Sequence, residues 1–259
     1  MTLKTKRYLK RAFTASLLCA MLPLPALAQV GEHRDDLSVG ASLGYTLSSV
    51  GFNPRVSQSQ HGGIHGGVAI RYVCEKYYSM VCSLMGEVNY TAMGWKESIL
   101  DKQDQKVINT VTGKAEEYAR NINYIQVPLF AHLAWGKELS GANFFFQVGP
   151  QFGYYLGEST SKNFDLQNIN LADRSNTTTE QYSMSVENKF DYGIAGGMGV
   201  EFSIPQVGHL MVEGRYYYGL GNIYGNSKRD YFGISNFSSI YIKTTYLFDL
   251  FTTKNIIRK

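Results

Sequence analysis

The chain has 259 residues, with 25 Lys and Arg against 21 Asp and Glu, and it carries 19 Tyr, 14 Phe and 26 Gly. Its formal charge of +4 comes from Lys4, Lys6, Arg7, Lys10 and Arg11; without these five, 20 basic residues face 21 acids, which removes any argument for a polyanionic partner such as nucleic acid. After the first 28 residues no apolar run approaches the length of a transmembrane helix, but a closed barrel stays open, because its strands show lipid only every second side chain.

The basic start, the apolar run from Ala12 to Leu22 and the small-residue site Ala26-Leu27-Ala28 predict a secretory signal over 1–28, cut before Gln29. Cys19 follows Leu18 rather than a small residue, so it is not expected to carry lipid. Residues 29–259 hold no Pro/Gly/Ser-rich linker and no repeat of fixed period, and are read as one domain.

The first predicted strand is the clearest. Leu37, Val39, Ala41, Leu43, Tyr45 and Leu47 alternate without error with Ser38, Gly40, Ser42, Gly44, Thr46 and Ser48. A period of two over that length makes a strand with one apolar and one polar face, longer than the strands usual in soluble sandwiches. The second places Ile64, Val68, Ile70, Tyr72 and Cys74 opposite His65, Gly67, Ala69 and Arg71, and the third Cys82, Leu84, Val88, Tyr90 and Ala92 opposite Ser83, Glu87, Asn89 and Thr91. The fourth sets Ile125, Val127, Leu129, Ala131, Leu133 and Trp135 against Tyr124, Gln126, Pro128, Phe130 and His132. On the fifth, Phe144, Phe146, Val148, Phe152, Tyr154 and Leu156 oppose Gln147, Gly149, Gln151 and Gly153. The sixth has Tyr192, Ile194, Met198, Val200 and Phe202 against Asp191, Gly193, Ala195, Gly197, Gly199 and Glu201. The seventh has Leu210, Val212, Tyr216, Tyr218 and Leu220 against Glu213, Arg215, Tyr217 and Gly219, and the last Ile240, Ile242, Thr244, Tyr246 and Phe248 against Tyr241, Lys243, Thr245 and Asp249.

The connections alternate too. Those near 49–62, 97–120, 158–189 and 222–237 are long and polar and the other three are short, the pattern of outer-membrane barrels with external loops and periplasmic turns. Threaded up and down, the chain puts Tyr45, Tyr90, Tyr154, Tyr192, Tyr216 and Tyr218 at one end of the apolar surface. Tyr72, Trp135, Phe144, Phe202, Tyr246 and Phe248 fall at the other, giving two aromatic girdles. The predicted fold is therefore all-β: a closed, up-and-down, antiparallel transmembrane β-barrel of eight strands in a Gram-negative outer membrane.

Five segments in order carry a family likeness: residues 86–96 (GEVNYTAMGWK), 123–130 (NYIQVPLF), 148–158 (VGPQFGYYLGE), 190–202 (FDYGIAGGMGVEF) and 213–224 (EGRYYYGLGNIY). Together they resemble the PorT-type, porin-like outer-membrane β-barrel proteins of Bacteroidetes. The resemblance implies the fold, the compartment and, through one member, an accessory role in protein secretion across the outer membrane. The sequence departs from that pattern at its end, where Phe248 is followed by Asp249-Leu250-Phe251 and a further polar tail, so either Phe248 or Phe251 could close the last strand.

Arg71, Glu87, Glu201, Glu213, Arg215 and Lys243 all face the barrel interior and are expected to form a mixed-sign structural network, with Glu201 beside Glu213 and Arg215 across the turn between the sixth and seventh strands. Of the five histidines His33, His61, His65, His132 and His209, the threading places His65 inside near the outer end, His132 inside near the inner end and His209 in a periplasmic turn. No two of them share a site in that threading and no catalytic Ser/His/Asp geometry emerges, so no enzyme activity is expected. No Cys or His spacing suits a metal, and no Gly-rich loop opens a helix to hold a phosphate, so neither metal nor cofactor is expected. Cys74 and Cys82 flank the first short turn; pairing the strands about Tyr78 sets them opposite each other and predicts a disulfide, the alternative being two free thiols. The loop from Ser159 to Lys189, rich in Asn, Ser and Thr, reads as solvated or as a recognition surface. The expected partners are outer-membrane lipid and a protein or glycan at the external loops. The expected role is a structural, binding or secretion-accessory component, with a narrow diffusion channel, or a lipid-modifying or proteolytic enzyme, as alternatives.

Overall fold

The computed structural model describes residues 32–109, 111–136, 141–165, 169, 171–225 and 230–252; the signal predicted over 1–28 lies outside the described residues. The alternating segments form long strands: β1 (Glu32–Asn53), β3 (His61–Tyr77), β4 (Met80–Glu97), β5 (Tyr118–Gly136), β6 (Gly141–Lys162), β7 (Phe190–Ile204), β8 (Gly208–Gly219) and β9 (Ile234–Phe251), with a two-residue strand β2 (Gln58–Ser59) added beside β4. Each long strand pairs antiparallel with its neighbour in sequence, and β1 closes on β9 from Leu37↔Phe251 to Asn53↔Ile234. The result is an eight-stranded ring, and closure leaves the long strands no free edge within it. The last strand runs to Phe251 rather than ending at Phe248, with a register shift between Leu37 and Ser38 where it finishes.

The period of two sorts the side chains as the alternation requires. Leu43, Ile64, Val68, Leu84, Leu129, Ile194, Met198 and Ile242 are exposed on the outside, between girdles that include Tyr45, Tyr154 and Tyr192 at one end and Trp135, Phe144 and Phe202 at the other. An apolar outer belt of this kind needs lipid against it. The strands are longer than the 9–11 residues that cross a bilayer. From Tyr45 to Asn53, β1 continues beyond its girdle by ~20 Å of barrel height, at about 3.3 Å per residue and the usual tilt. The predicted loop boundaries at 49 and 158 accordingly fall inside β1 and β6.

The first short turn departs from the predicted register. Tyr78 adopts a φ of 52° in a two-residue turn, and Tyr77↔Met80, Lys76↔Val81 and Glu75↔Cys82 pair above it. Continued unchanged, that register would set inward residues of β3 opposite outward residues of β4. A β-bulge at Cys74 restores the match, and from Val73↔Ser83 onward the interior faces agree. The bulge leaves Cys74 without a partner on β4, its thiol donating to the Tyr72 carbonyl at 3.8 Å, so both Cys74 and Cys82 are free thiols and the predicted disulfide is corrected. Thiol labelling of the denatured, non-reduced protein should therefore find two reactive groups per chain; a chain that labels at neither would restore the disulfide and remove the bulge.

Candidate functional site: a filled lumen between an outer cap and an open inner mouth

Eight strands enclose a space just wide enough for their own side chains. At mid-height it is filled by two acids and two bases. Arg215, on β8, gives a forked pair of bonds to Glu87 of β4 (Nη1–Oε2 3.0 Å, Nη2–Oε1 2.8 Å), while its Nε donates to Glu213 at 2.6 Å. Lys243, on β9, donates to Glu87 at 2.6 Å and lies 3.8 Å from Glu213. Asn89 and Gln147 donate to the same two carboxylates, at 2.7 and 2.6 Å, and the Arg215 guanidinium rests 4.3 Å from the centre of the Phe130 ring. All four ionised side chains are about 2 % exposed. Such charges remain ionised in a dry interior only because each is met by an opposite charge and by hydrogen bonds.

Glu201 makes no direct contact with this group, which corrects the expected adjacency to Glu213 and Arg215; it is linked to Glu213 only through His132 and Gln147. It pairs with Met211 in the β7–β8 ladder, and its carboxylate reaches across the lumen to Arg71, whose Nη1 lies 2.8 Å from both of its oxygens. Across a barrel this narrow the opposite wall is nearer than the next inward residue along the same hairpin. His209 and His132 converge on the same carboxylate, at 2.7 and 3.8 Å, and the far nitrogen of His209 meets Asp249 at 3.2 Å. Two of the histidines thus share a site that the sequence reading does not bring together. The reason is that His209 lies in β8 itself, the turn occupying only Pro205 to Val207.

Ser203 Oγ lies 3.0 Å from His209 Nδ1, so Ser203, His209 and Asp249 fall in line. The Glu201 carboxylate is closer to that same nitrogen, at 2.7 Å, so a proton on Nδ1 is directed to Glu201 and Ser203 faces no free imidazole lone pair. His65 lies in the outer half of the lumen against Thr91 (2.8 Å) and the edge of Tyr241, away from Ser203 and His209. Among the described residues, no group of three His, Cys, Asp or Glu side chains is arranged to hold a metal ion.

The two mouths differ. At the short-turn end the lumen opens into a cavity of about 720 Å³ whose floor is Arg71, Glu201 and His132 and whose walls carry Ser83, Asn143 and Ser203. At the long-loop end the connections fold over the opening and share a buried core. Phe52, at the end of β1, packs on Trp95 of β4 (5.2 Å) and on Phe232 of the β8–β9 connection (4.9 Å), and Tyr224 stacks on Phe232. Arg120 lies over the Trp95 ring, donates to the Tyr224 hydroxyl at 3.0 Å and bonds the Met184 carbonyl.

The connection after β6 is neither solvated nor extended along its whole length. It makes two turns of 3₁₀ helix (Leu171–Asp173 and Glu180–Tyr182) and buries Phe164, Arg174, Gln181, Tyr182 and Val186. Arg174 is pinned to Glu116 at 2.5 Å and sits over the Phe164 ring, while Tyr182 and Gln181 donate to Glu97 at 2.6 and 3.0 Å. Burial, and after it the charge of Glu97, pushes the Tyr182 phenol up, so it stays a donor at every physiological pH. Sequence reading passed over Arg174, Glu116 and Arg120 because a loop has no periodicity to show which way a side chain points.

Solved barrels align along most of their length at low identity. Ail, the attachment invasion locus protein of Yersinia pestis, is 12 % identical over 84 % of this chain and 99 % of its own, with a TM-score of 0.35. Neisserial surface protein A is 12 % identical over 82 % and 95 %, at 0.41, and OprG of Pseudomonas aeruginosa 10 % identical over 84 % and 98 %, at 0.37. No curated protein sequence matches. Residues 27–225, most of the chain and all its long strands but the last, match the profile described as outer membrane protein beta-barrel domain. With a closed ring of strands, a lipid-facing apolar belt and that match, the chain belongs to the outer-membrane β-barrel family and is an integral protein of the outer membrane.

Proposed function

We propose that this barrel is a sealed membrane anchor whose working surface is its outer cap, serving as a structural, binding or assembly component toward a protein or glycan partner. The observation that carries this reading is the single core shared by the outer connections, in which Phe52, Trp95, Tyr182, Tyr224 and Phe232 are buried above the membrane. Loops that served only to join strands would have no reason to fix one another with a buried Arg174–Glu116 pair. A secretion-accessory role, which the resemblance to PorT-type proteins implies, is one form of this proposal.

A diffusion channel fits less well, because the Glu87–Arg215–Glu213–Lys243 group occupies the lumen at mid-height. An enzyme at Ser203 fits less well, because Glu201 takes the imidazole nitrogen that the hydroxyl would need. Planar-bilayer recording of the purified protein tests the reading: no sustained conductance is expected. Steady channels that pass sugars would overturn it in favour of the channel.

A further inference from the structure

Above the outer girdle, β6 outruns β7. Its last rung with β7 joins Tyr154 to Phe190, whereas on the side of β5 it stays paired up to Tyr118↔Lys162. The chain that leads into β7 does not run beside it. Tyr155 donates its backbone amide to the Lys189 carbonyl at 2.8 Å, but Asn188 and Glu187 give theirs to the Ile223 carbonyl of the β8–β9 connection, at 3.1 and 3.2 Å. From Gly157 to Lys162 the strand therefore keeps one open edge, about 20 Å long.

The register shift opposite Asn123 and Tyr124 leaves Leu156 as an extra residue, so the groups that face β5 change parity there. Beyond it Asn163 donates its amide to the Glu117 carbonyl. By alternation Ser161 and Ser159 also turn their backbone toward β5, and the amides and carbonyls of Glu158, Thr160 and Lys162 point to the open side. Thr160 is exposed even though its hydroxyl turns to Arg120 at 3.4 Å, as it must be where no strand stands alongside. A row of such groups in water is a template for one further strand.

Two lysines bracket the edge, Lys189 at its foot and Lys162 at its top. Both are exposed and, among the described residues, neither is in an ion pair. The complementary charge is acid at each end of the added strand. A second copy in the same membrane does not fit, because its β6 also climbs outward. The two edges would cross at about 70–90°, twice the usual tilt, whereas neighbouring strands of a sheet differ by about 20–25°. We propose that the open edge of β6 takes up an extended, acid-ended segment of a partner protein as an added strand. This rests on the cap being the working surface, and names the place on it where a protein partner docks.

The test uses the full chain in nanodiscs and a fluorescent, end-capped octapeptide of alternating Val and Thr that begins and ends with Asp. Saturable binding is expected. Thr160→Pro should weaken it about tenfold or more, because proline removes an amide from the open edge and sets its ring there, while the ladder to β5 keeps its bonds. Thr160→Val, which loses only the hydroxyl, should bind as the parent does. Replacing Lys162 and Lys189 by Gln should weaken binding and flatten its salt dependence. No saturable binding, equal effects of Thr160→Pro and Thr160→Val, or equal binding of a peptide that begins and ends with Lys would overturn the proposal and leave the cap as a surface for another partner. Steady channels in the bilayer recording would instead remove the reading of the cap, even where the peptide binds.

Discussion

Arg215→Ala should lower the stability of the folded barrel by about 3–5 kcal/mol, the usual consequence of removing one partner from a buried ionic group. The arginine alone makes three of the bonds that hold Glu87 and Glu213, and without it two buried carboxylates share the single ammonium of Lys243. The measurement is the urea midpoint of the unboiled, fast-migrating form on gels, taken in lipid. A second substitution gives the result its meaning: Glu213→Gln in the Arg215→Ala chain leaves one acid against one base, and should recover much of the loss although it removes another charge. If Arg215→Ala leaves the midpoint where it was, the guanidinium is bathed in water and the lumen is not filled as described.

Trp95→Ala should loosen the cap and spare the barrel. Trp95 is wholly buried between Phe52 and Arg120, and emptying so large a site in a packed core costs about 3–5 kcal/mol. Its place on β4 lies above the outer girdle, so the loss falls on contacts among loops and not on the lipid-embedded ladder. The expected result is rapid protease cleavage within 98–117 and 163–189, with heat-modifiable migration unchanged. A variant equally resistant to protease would mean that the outer connections are held by their hydrogen bonds alone.

Much of the architecture could be read from the alternation of small polar and apolar residues, because in a strand the side-chain period is two and any error changes face. Leu37 to Ser48 shows this without a fault, and the inward set of Glu87, Glu213, Arg215 and Lys243 follows from the same rule. What alternation cannot supply is azimuth, the position of each inward residue around the lumen. Glu201 and Arg71 are 130 residues apart in sequence and meet only because two walls face each other. The cysteines were misplaced for a different reason. A two-residue turn has the wrong parity for this hairpin, and the bulge that repairs it leaves no mark in the residues themselves. The cap was hidden because burial by loops follows no period: a segment rich in Asn, Ser and Thr looks solvated until Phe164, Arg174 and Tyr182 are seen to turn inward.

The seam between β1 and β9 bears on how fast this protein can form. Its rungs join residues separated by roughly 180 to 210 positions, and contacts that distant must be found by a chain that has already lost most of its freedom, which makes folding slow. Until β9 arrives, β1 offers a row of unpaired amides and carbonyls, which cannot remain so in hydrocarbon. Insertion and closure are therefore one event, and a chain halted before Ile234 would be left as an open, sticky sheet at the membrane surface and not as a smaller barrel.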